Sequence, residues 1–249
     1  MSEPVLEAKA LERKFGAVVA ASNINVSVMP GARLSLIGAN GAGKTTFVNI
    51  VTGYVKPSSG EIRLAGRDIT GLSPRRITQL GVCRSFQIPQ LCETMTPIEN
   101  ILIAIGATET RSSFFRPARS HERLDRAYAT LERFGLEAYA ERPVDELPGG
   151  VRKLVDIAMA LVRHPRVLLL DEPTSGVSTE EKFPLMDCIM AALETEDVAV
   201  IFVEHDMDIV TRYADRVLAF YAGQIIADDR PDEVLSDVEV QKYVTGTAR

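Results

Sequence analysis

Residues 38–46 combine glycines, a lysine and threonines at a spacing that can bind phosphate. They read Gly-Ala-Asn-Gly-Ala-Gly-Lys-Thr-Thr and match the pattern G-x-x-x-x-G-K-[ST]. The apolar run Leu34–Ile37 precedes them, and a predicted helix from Thr45 to Val51 follows. Because this pattern binds phosphate between a strand and a helix, residues 38–46 predict a nucleotide-binding loop rather than a chance glycine-rich turn.

The residue types of this loop define what it can do. Its glycines let the backbone approach an anion without a Cβ clash, so backbone amides and the positive end of the helix dipole can surround the β- and γ-phosphates. Lys44 adds a full positive charge, and the hydroxyl of Thr45 is placed for Mg²⁺. The predicted nucleotide-binding residues of the loop are Gly38, Ala39, Asn40, Gly41, Ala42, Gly43, Lys44, Thr45 and Thr46.

A pair of carboxylates follows a second apolar run. Val167–Leu170 leads directly into Asp171 and Glu172, and the carboxyl ends of parallel strands are where such sheets bind ligands. Asp171 is predicted to hold Mg²⁺ through water. Glu172 is predicted to act as a general base or to orient water for in-line attack on the γ-phosphate. The alternative is a pair of surface acids before the rigid turn at Pro173.

Two more polar side chains follow predicted strands. The run Val198–Val203 leads into Glu204 and His205. His205 is predicted to bond the γ-phosphate and to hold Glu172 or the attacking water. Gln87 ends the predicted strand Val82–Gln87. Its amide is predicted to reach Mg²⁺ and the attacking water. The position of this amide is also predicted to depend on the position of the helical segment that follows. Taken alone, Gln87 would be an ordinary polar strand end.

Composition places the chain among ordinary globular proteins. It has 249 residues, 46% of them hydrophobic and 25% charged. A net charge of −6 gives no electrostatic case for binding nucleic acid. Cys83, Cys92 and Cys188 lack metal-ligand spacing and are interpreted as reduced thiols. No apolar run approaches the ~20 residues of a membrane span. We therefore expect a soluble, intracellular protein that meets a membrane only through a partner.

Apolar patterns and turn residues predict alternating strands and helices. The other predicted strands are Val5–Ala10, Ala20–Val28, Glu61–Leu64, Val217–Phe220 and Gln224–Ala227. The other predicted helices are Pro74–Leu80, Thr179–Glu194, Met207–Ala214 and Pro231–Leu235. This alternation indicates an α/β fold with a mostly parallel sheet covered on both faces.

The middle of the chain, from about Pro97 to His164, is helical in pattern and is predicted to be an inserted subdomain. One of its helices is predicted to end at Gly135 and another to start near Val151. The basic, aromatic segment Arg111–Arg119 is interpreted as a solvated loop, with a contact site for a partner or membrane surface as the alternative. Turns are predicted at Phe15-Gly16 and at 65–68.

These stretches together resemble the nucleotide-binding subunit of an ABC transporter, over essentially the whole chain and in that family's order. The resemblance implies that residues 38–45 are the Walker A loop and that Val167–Asp171 with Glu172 is the Walker B strand and catalytic acid. Gln87 corresponds to the glutamine of the Q-loop and His205 to the switch histidine. Phe15 matches the aromatic residue that stacks on adenine.

The resemblance also extends to the motifs that meet a second subunit. Leu147–Val151 matches the signature motif, so Gly149 and Gly150 would bind the γ-phosphate held by the other subunit. Residues 175–178 match the D-loop. Residues 84–87, 95–100 and 204–207 are similar to the branched-chain amino acid uptake subfamily.

The implied fold is a P-loop NTPase (RecA-like) core with an N-terminal antiparallel β part and an inserted helical subdomain. The core would span 1–88 and 165–249, and the subdomain 89–164 with the signature motif. The implied activity is an Mg-dependent ATPase that uses ATP and Mg²⁺. Glu172, His205 and Lys44 would be catalytic, and Thr45, Gln87 and Asp171 would bind the metal.

The implied partners are integral membrane permease subunits, a second ATP-binding subunit, identical or not, and a periplasmic or extracellular solute-binding protein. No nucleic acid is expected. The implied location is cytoplasmic, on the inner face of the cell membrane through the permeases.

Four other functions share part of these motifs. A GTPase would use Asp68–Gly71 as its D-x-x-G sequence, but the chain has no Asn-Lys-x-Asp motif to read guanine. A non-transport ABC protein of DNA repair or translation usually carries paired cassettes, long insertions or basic surfaces, which are absent here. A lipopolysaccharide-export cassette and a nucleotide-binding scaffold without hydrolysis complete the alternatives.

Three residues depart from the family pattern. The signature motif normally has Ser at Pro148 and Gln at Val151, and the D-loop normally has Asp at Ser178. Proline has neither a hydroxyl nor an N–H, so two donors to the γ-phosphate are missing. Each lost bond to a charged group costs about 1.5–3 kcal/mol.

We therefore expect Pro148→Ser to raise the ATPase rate above wild type, because a hydroxyl and an N–H return to the γ-phosphate contact. Steady-state phosphate release by the two proteins measures this. An unchanged rate would refute the interpretation.

Overall fold

The computed structural model describes residues 3–108, 117, 119–194 and 197–246. The predicted loop Arg111–Arg119 lies outside the described residues except at positions 117 and 119. Every described helix is too short or too polar to span a bilayer.

The N-terminal part of the chain forms an antiparallel sheet with strand order β2-β1-β4-β5. Its strands are β1 (Leu6–Phe15), β2 (Val18–Val28), β4 (Ser59–Leu64) and β5 (Arg67–Asp68). Two predicted turns are wrong in detail. Phe15 is the last residue of β1 and pairs with Val18. Arg67 and Asp68 pair with β4, so only Ala65-Gly66 forms the turn there.

The second sheet has six strands among the described residues, in the order β10-β9-β3-β8-β7-β6. All neighbours are parallel except β10, which forms an antiparallel hairpin with β9. The strands are β3 (Arg33–Ile37), β6 (Val82–Ser85), β7 (Val167–Asp171), β8 (Ala199–Val203), β9 (Arg216–Tyr221) and β10 (Gln224–Asp229). The predicted α/β fold is therefore confirmed.

The helices lie between the strands and cover the six-stranded sheet. They are α1 (Lys44–Val51), α2 (Pro74–Leu80), α3 (Pro97–Thr108), α4 (His121–Arg133), α5 (Gly149–Leu161), α6 (Thr179–Leu193), α7 (Met207–Tyr213), α8 (Pro231–Ser236) and the short α9 (Val238–Val240). Short 3₁₀ turns at Glu137–Tyr139 and Val144–Glu146 join α4 to α5. The division at residues 89 and 164 remains a prediction.

The apolar strands are buried on both faces, which explains their unbroken hydrophobic sequences. In β7, Leu168 and Leu170 pack in a cluster with residues of α3–α7. Val167 and Leu169 point the other way and pack with α1 and the antiparallel sheet. Helices α3–α5 thus share an apolar core with the strands that carry the predicted site.

Two predicted boundaries next to the site shift by two residues. β6 ends at Ser85, so Gln87 lies in the following loop instead of in the strand. Helix α5 begins at Gly149 instead of near Val151. Pro148 stands at the N-cap. The backbone N–H of an N-cap residue has no partner within the helix, so proline costs the helix no hydrogen bond at this position.

Because both faces of β7 are covered, we expect Leu168→Ala and Leu169→Ala to destabilise the protein equally, by about 2–5 kcal/mol each. Urea unfolding measures the change. Val238→Ala is the control, since this side chain is 74% exposed and should change stability by no more than about 0.5 kcal/mol. A near-neutral effect at one of the two leucines would mean that one face of β7 is open.

Candidate active site

The predicted site residues follow four neighbouring parallel strands. The phosphate loop follows β3, Gln87 follows β6, Glu172 follows β7 and His205 follows β8. Parallel strands place their carboxyl ends at one edge of a sheet. Residues up to 167 positions apart in the sequence (38 to 205) therefore lie along this edge.

The phosphate loop is held against β9 and β2 through two glycines. A Cβ at Gly38 would lie 2.5 Å from the backbone oxygen of Phe220, and one at Gly43 would lie 2.8 Å from that of Ala20. Both residues also have a positive φ, of 147° and 113°. Helix α1 starts directly after Gly43, so its N-terminal amides face the concave loop.

Lys44 closes this loop from inside. Its Nζ donates to the carbonyl oxygen of Gly38 at 2.5 Å and to that of Ala39 at 3.2 Å. The residue is 5% exposed. Burial lowers the pKa of Lys44, and the charges of Glu172 and Asp171 oppose that shift. The ammonium therefore points into the loop, where an anion would satisfy it.

Glu172 lies between the two polar side chains predicted to assist it. Its Oε2 accepts from Nε2 of Gln87 at 2.7 Å, and its Oε1 lies 3.2 Å from Nε2 of His205. Glu172 has a positive φ of 50°, which a non-glycine residue adopts rarely and mostly where the surroundings fix it. Its N–H donates to the oxygen of Val203 at 3.1 Å.

Asp171 is paired with a residue that the sequence reasoning did not place in the site. Its Oδ2 accepts from a terminal nitrogen of Arg84 at 2.5 Å, and the two side chains are 15% and 9% exposed. A charged residue within the apolar strand β6 is the signal that could have identified Arg84, since buried charges require partners.

The donor set fits a nucleotide and Mg²⁺. The loop has the concave backbone and the buried ammonium that bind phosphate. Asp171, Gln87 and the exposed Thr45 offer a carboxylate, an amide and a hydroxyl oxygen, which are the donors that Mg²⁺ prefers. The metal roles of these three residues remain proposals.

Phe15 lies at the end of the β1–β2 hairpin and is 45% exposed. The guanidinium of Arg13 lies 4.4 Å from the centroid of its ring. The hairpin is next to the phosphate loop, because the oxygen of Ala20 in β2 approaches Gly43. Phe15 is thus accessible to a base, and its stacking on adenine remains a prediction.

Gly149 and Gly150 form the start of α5, on the helical side of the molecule. Gly149, Gln87 and Ser175 line one cavity of about 230 Å³. Gly149 is exposed and Gly150 is partly exposed. Their binding to the γ-phosphate of a second subunit remains a prediction.

Helix α5 also contributes two buried charged residues that the sequence reasoning missed. Nζ of Lys153 donates to the backbone oxygen of Glu172 at 2.7 Å. Asp156 accepts from Oγ of Ser85 at 2.6 Å and from the backbone N–H groups of Phe86 and Gln90 at 3.3 and 3.1 Å. Both are charged residues among the apolar positions of α5. This placement was the sequence signal that could have identified them.

Burial changes the acid–base behaviour of both charged residues of α5. It lowers the pKa of Lys153, against the opposing charges of Glu204, Glu172, Asp156 and Asp171. It raises the pKa of Asp156, against its three hydrogen bonds. Helix α5 is therefore linked to both the Glu172 and the Gln87 loops through polar groups that are costly to leave unpaired.

Glu204 braces the turn that follows Glu172. Its Oε1 accepts from N and Oγ1 of Thr174 at 3.0 and 2.7 Å, and its Oε2 accepts from the N–H of His205 at 3.1 Å. Glu204 is 3% exposed. The sequence showed it only as a polar residue after a strand.

The D-x-x-G sequence of the GTPase alternative lies elsewhere. Asp68 belongs to β5 of the antiparallel sheet, and its Oδ1 accepts from the N–H of Thr70 at 2.8 Å. It is exposed. Asp68 is thus placed on the other sheet from the carboxylates that follow β7.

The fold and this site define a nucleoside triphosphatase with a phosphate loop, a carboxylate pair and a helical insertion. A family model described as ABC transporter matches residues 21–175. The high-affinity branched-chain amino acid transport ATP-binding protein LivG of Escherichia coli (strain K12) is 36% identical over 258 residues, covering 100% of both chains.

Solved structures of ATP-binding cassettes resemble this chain over most of its length. The ADP conformation of an ATP-binding cassette of an ABC transporter has a TM-score of 0.86 at 31% identity, covering 97% of this chain and 98% of that one. A dimeric post-hydrolysis state of another cassette, bound to ADP and Pi, has a TM-score of 0.76 at 25% identity, covering 91% and 98%. The chain belongs to the ABC transporter family and is one of its nucleotide-binding ATPases.

Asp156→Ala should destabilise the protein by about 2–4 kcal/mol, because it leaves the amides of Phe86 and Gln90 and the hydroxyl of Ser85 without their acceptor. Urea unfolding gives the stability. The ATPase rate should fall as well, since the loop that carries Gln87 loses its anchor. Asp156→Asn keeps one acceptor oxygen and should lose less of both. Equal losses in the two variants would contradict the anchoring role.

Proposed function

We propose that this chain is the ATP-binding and hydrolysing subunit of an ABC transporter that takes up branched-chain or related amino acids. The observation that carries the ATPase assignment is the contact of Glu172 with both Gln87 and His205 at the edge that holds the phosphate loop. The cargo assignment is supported by the likeness to LivG over the whole chain.

ATP binds with its adenine on Phe15 and its phosphates in the loop from Gly38 to Thr46. On binding, Lys44 exchanges its contacts with the carbonyls of Gly38 and Ala39 for phosphate oxygens. The exchange is favourable, because a buried ammonium gains a full negative partner in place of neutral oxygens.

Hydrolysis depends on the group around Glu172. Its carboxylate accepts a proton from, or orients, the attacking water, while His205 holds the carboxylate and contacts the γ-phosphate. The tight surroundings of Glu172, which include the positive φ and the Lys153 bond to its carbonyl, fix the carboxylate before substrate arrives. Thr45, Gln87 and Asp171 would hold Mg²⁺, which would neutralise part of the negative charge of the bound triphosphate.

Two cassettes close over the nucleotide, so that Gly149 and Gly150 of one cover the γ-phosphate held by the other. The helix start at Gly149 can contact an anion through its N–H groups although Pro148 lacks a donor. The pairing of two cassettes is supported by the dimeric, post-hydrolysis cassette that resembles this chain. Closure is a ligand-driven population shift, because the second cassette contacts the phosphate only when closed.

The motion reaches the membrane through the helical subdomain. Permease subunits dock near residues 87–100, of which Gln90 lines a cavity of about 240 Å³ bounded by α2, β6, α3 and α5. This docking places the chain on the cytoplasmic face of the membrane. A solute-binding protein delivers the amino acid to the permeases from outside.

Glu172→Gln should bind ATP with wild-type affinity, lose nearly all turnover and accumulate closed dimers, because the amide cannot accept the proton of the water. Phosphate release and size-exclusion chromatography with Mg–ATP measure turnover and dimers. Normal turnover in this variant would exclude Glu172 from the proposed role.

The transport assignment is tested in vesicles that contain this chain, permease subunits and a solute-binding protein. The candidate permeases and binding protein are sought among the genes adjacent to the gene of this chain. We expect uptake of labelled leucine, isoleucine or valine that requires ATP and is lost with Glu172→Gln. ATP hydrolysis without amino acid uptake would overturn the cargo and leave the ATPase assignment in place. Stimulation by lipopolysaccharide would favour the export cassette instead.

A further inference from the structure

Arg84 makes contacts with three parts of the site at once. One terminal nitrogen donates to Oδ2 of Asp171 at 2.5 Å, and the other donates to Oδ1 of Asn49 in α1 at 2.8 Å. The guanidinium carbon lies 4.8 Å from the ring centroid of Phe86, the residue before Gln87. Arg84 therefore joins the helix of the phosphate loop, the proposed metal carboxylate and the Gln87 loop.

Burying the Arg84–Asp171 ion pair is energetically costly, so a contribution to stability does not by itself account for the pair. Nε of Arg84 is buried and has no hydrogen-bond partner among the described residues. A buried ion pair is weak grounds for stability, because desolvation of both charges offsets their attraction. An unpaired buried donor in such a pair calls for another explanation.

The geometry of the pair provides that explanation. Only Oδ2 of Asp171 accepts from Arg84, and the side chain is 15% exposed, so Oδ1 is the oxygen left for a metal or its water. With Asn49 holding the other side of the guanidinium, the carboxylate is fixed in one orientation. Groups behind a metal ligand commonly orient it in this way.

Arg84 also lines the cavity between the core and the helical side. The cavity of about 240 Å³ is bounded by Arg84, Phe86 and Tyr54 on the core side and by α3 and α5 on the other. The guanidinium carbon lies 5.9 Å from the ring centroid of Tyr54. A group that fills this cavity would contact the residue that holds Asp171.

We propose that Arg84 is a positioning residue that orients Asp171 for Mg²⁺ and connects this carboxylate to the cavity between the core and the helical subdomain. This inference rests on the proposed metal role of Asp171. Arg84 itself does not touch the nucleotide or the metal. It acts through the orientation of Asp171, and both the charge and the planar fork of the arginine contribute.

The test measures binding of a fluorescent ATP analogue to the full chain during a titration with Mg²⁺, and again in EDTA. For Arg84→Met we expect the Mg²⁺ concentration at half-effect to rise about 10- to 100-fold, the usual loss when a partner of a metal ligand is removed. Affinity in EDTA should stay within about twofold. Arg84→Lys keeps the charge but not the fork, and should lie between wild type and Arg84→Met.

Matched variants separate the positioning of Asp171 from a general effect of removing an arginine from this cavity. Arg163→Met removes an arginine from the same cavity, and its Mg²⁺ dependence should equal that of wild type. Arg84→Met added to Asp171→Asn should cause no further change in Mg²⁺ dependence. If Arg84→Met does not fold, Asn49→Ala decides: it should raise the Mg²⁺ requirement in the same direction by a smaller factor.

The outcomes distinguish this inference from the function it rests on. The positioning role is overturned if Arg84→Met has an unchanged or lower Mg²⁺ requirement. If Arg84→Met does not fold, an unchanged Mg²⁺ requirement in Asn49→Ala overturns it. An equal shift in Arg163→Met overturns it as well. If Asp171→Asn itself leaves the Mg²⁺ dependence intact, the proposed metal role of Asp171 fails first.

Discussion

The parallel pairing of β3, β6, β7 and β8 is the constraint on which the site depends. Parallel strands bring their carboxyl ends to one edge, and the backbone leaves the sheet there with free polar groups. The phosphate loop, the Gln87 loop and Glu172 share that edge for this reason alone. Alternate residues of β7 pack in two different apolar clusters, so a slip of one residue would exchange the side chains between the clusters and disturb the packing of both.

The site is also a set of buried charges, each satisfied by a different element. Lys44 donates to loop carbonyls, Arg84 binds Asp171, and Lys153 donates to the carbonyl of Glu172. Glu204 accepts from the turn after Glu172. Buried charges of this kind add little to stability but specify one arrangement of the loops. The polar network therefore explains how loops with few apolar side chains keep a defined geometry.

Helix α5 joins the two halves of the mechanism. Its first residues are Gly149 and Gly150, for which we propose contact with the γ-phosphate of a second subunit. One and two turns later the helix supplies Lys153 and Asp156 to the loops of Glu172 and Gln87. Displacement of this helix would have to break or carry along both bonds. Coupling between the helical side and the hydrolytic group thus has a physical route through specific contacts, as a two-state coupling between distant sites requires.

The sequence by itself determined the alternation of strands and helices, the phosphate loop, the acid pair and the family, because these depend on local patterns of apolar, glycine and charged residues. It also indicated His205 and Gln87 as polar residues near strand ends. Only the tertiary structure showed the pairing of Arg84 with Asp171 and the reach of Lys153 and Asp156 from α5. Such contacts join residues distant in the chain, and their partners are fixed by strand order and helix packing, which no local pattern encodes.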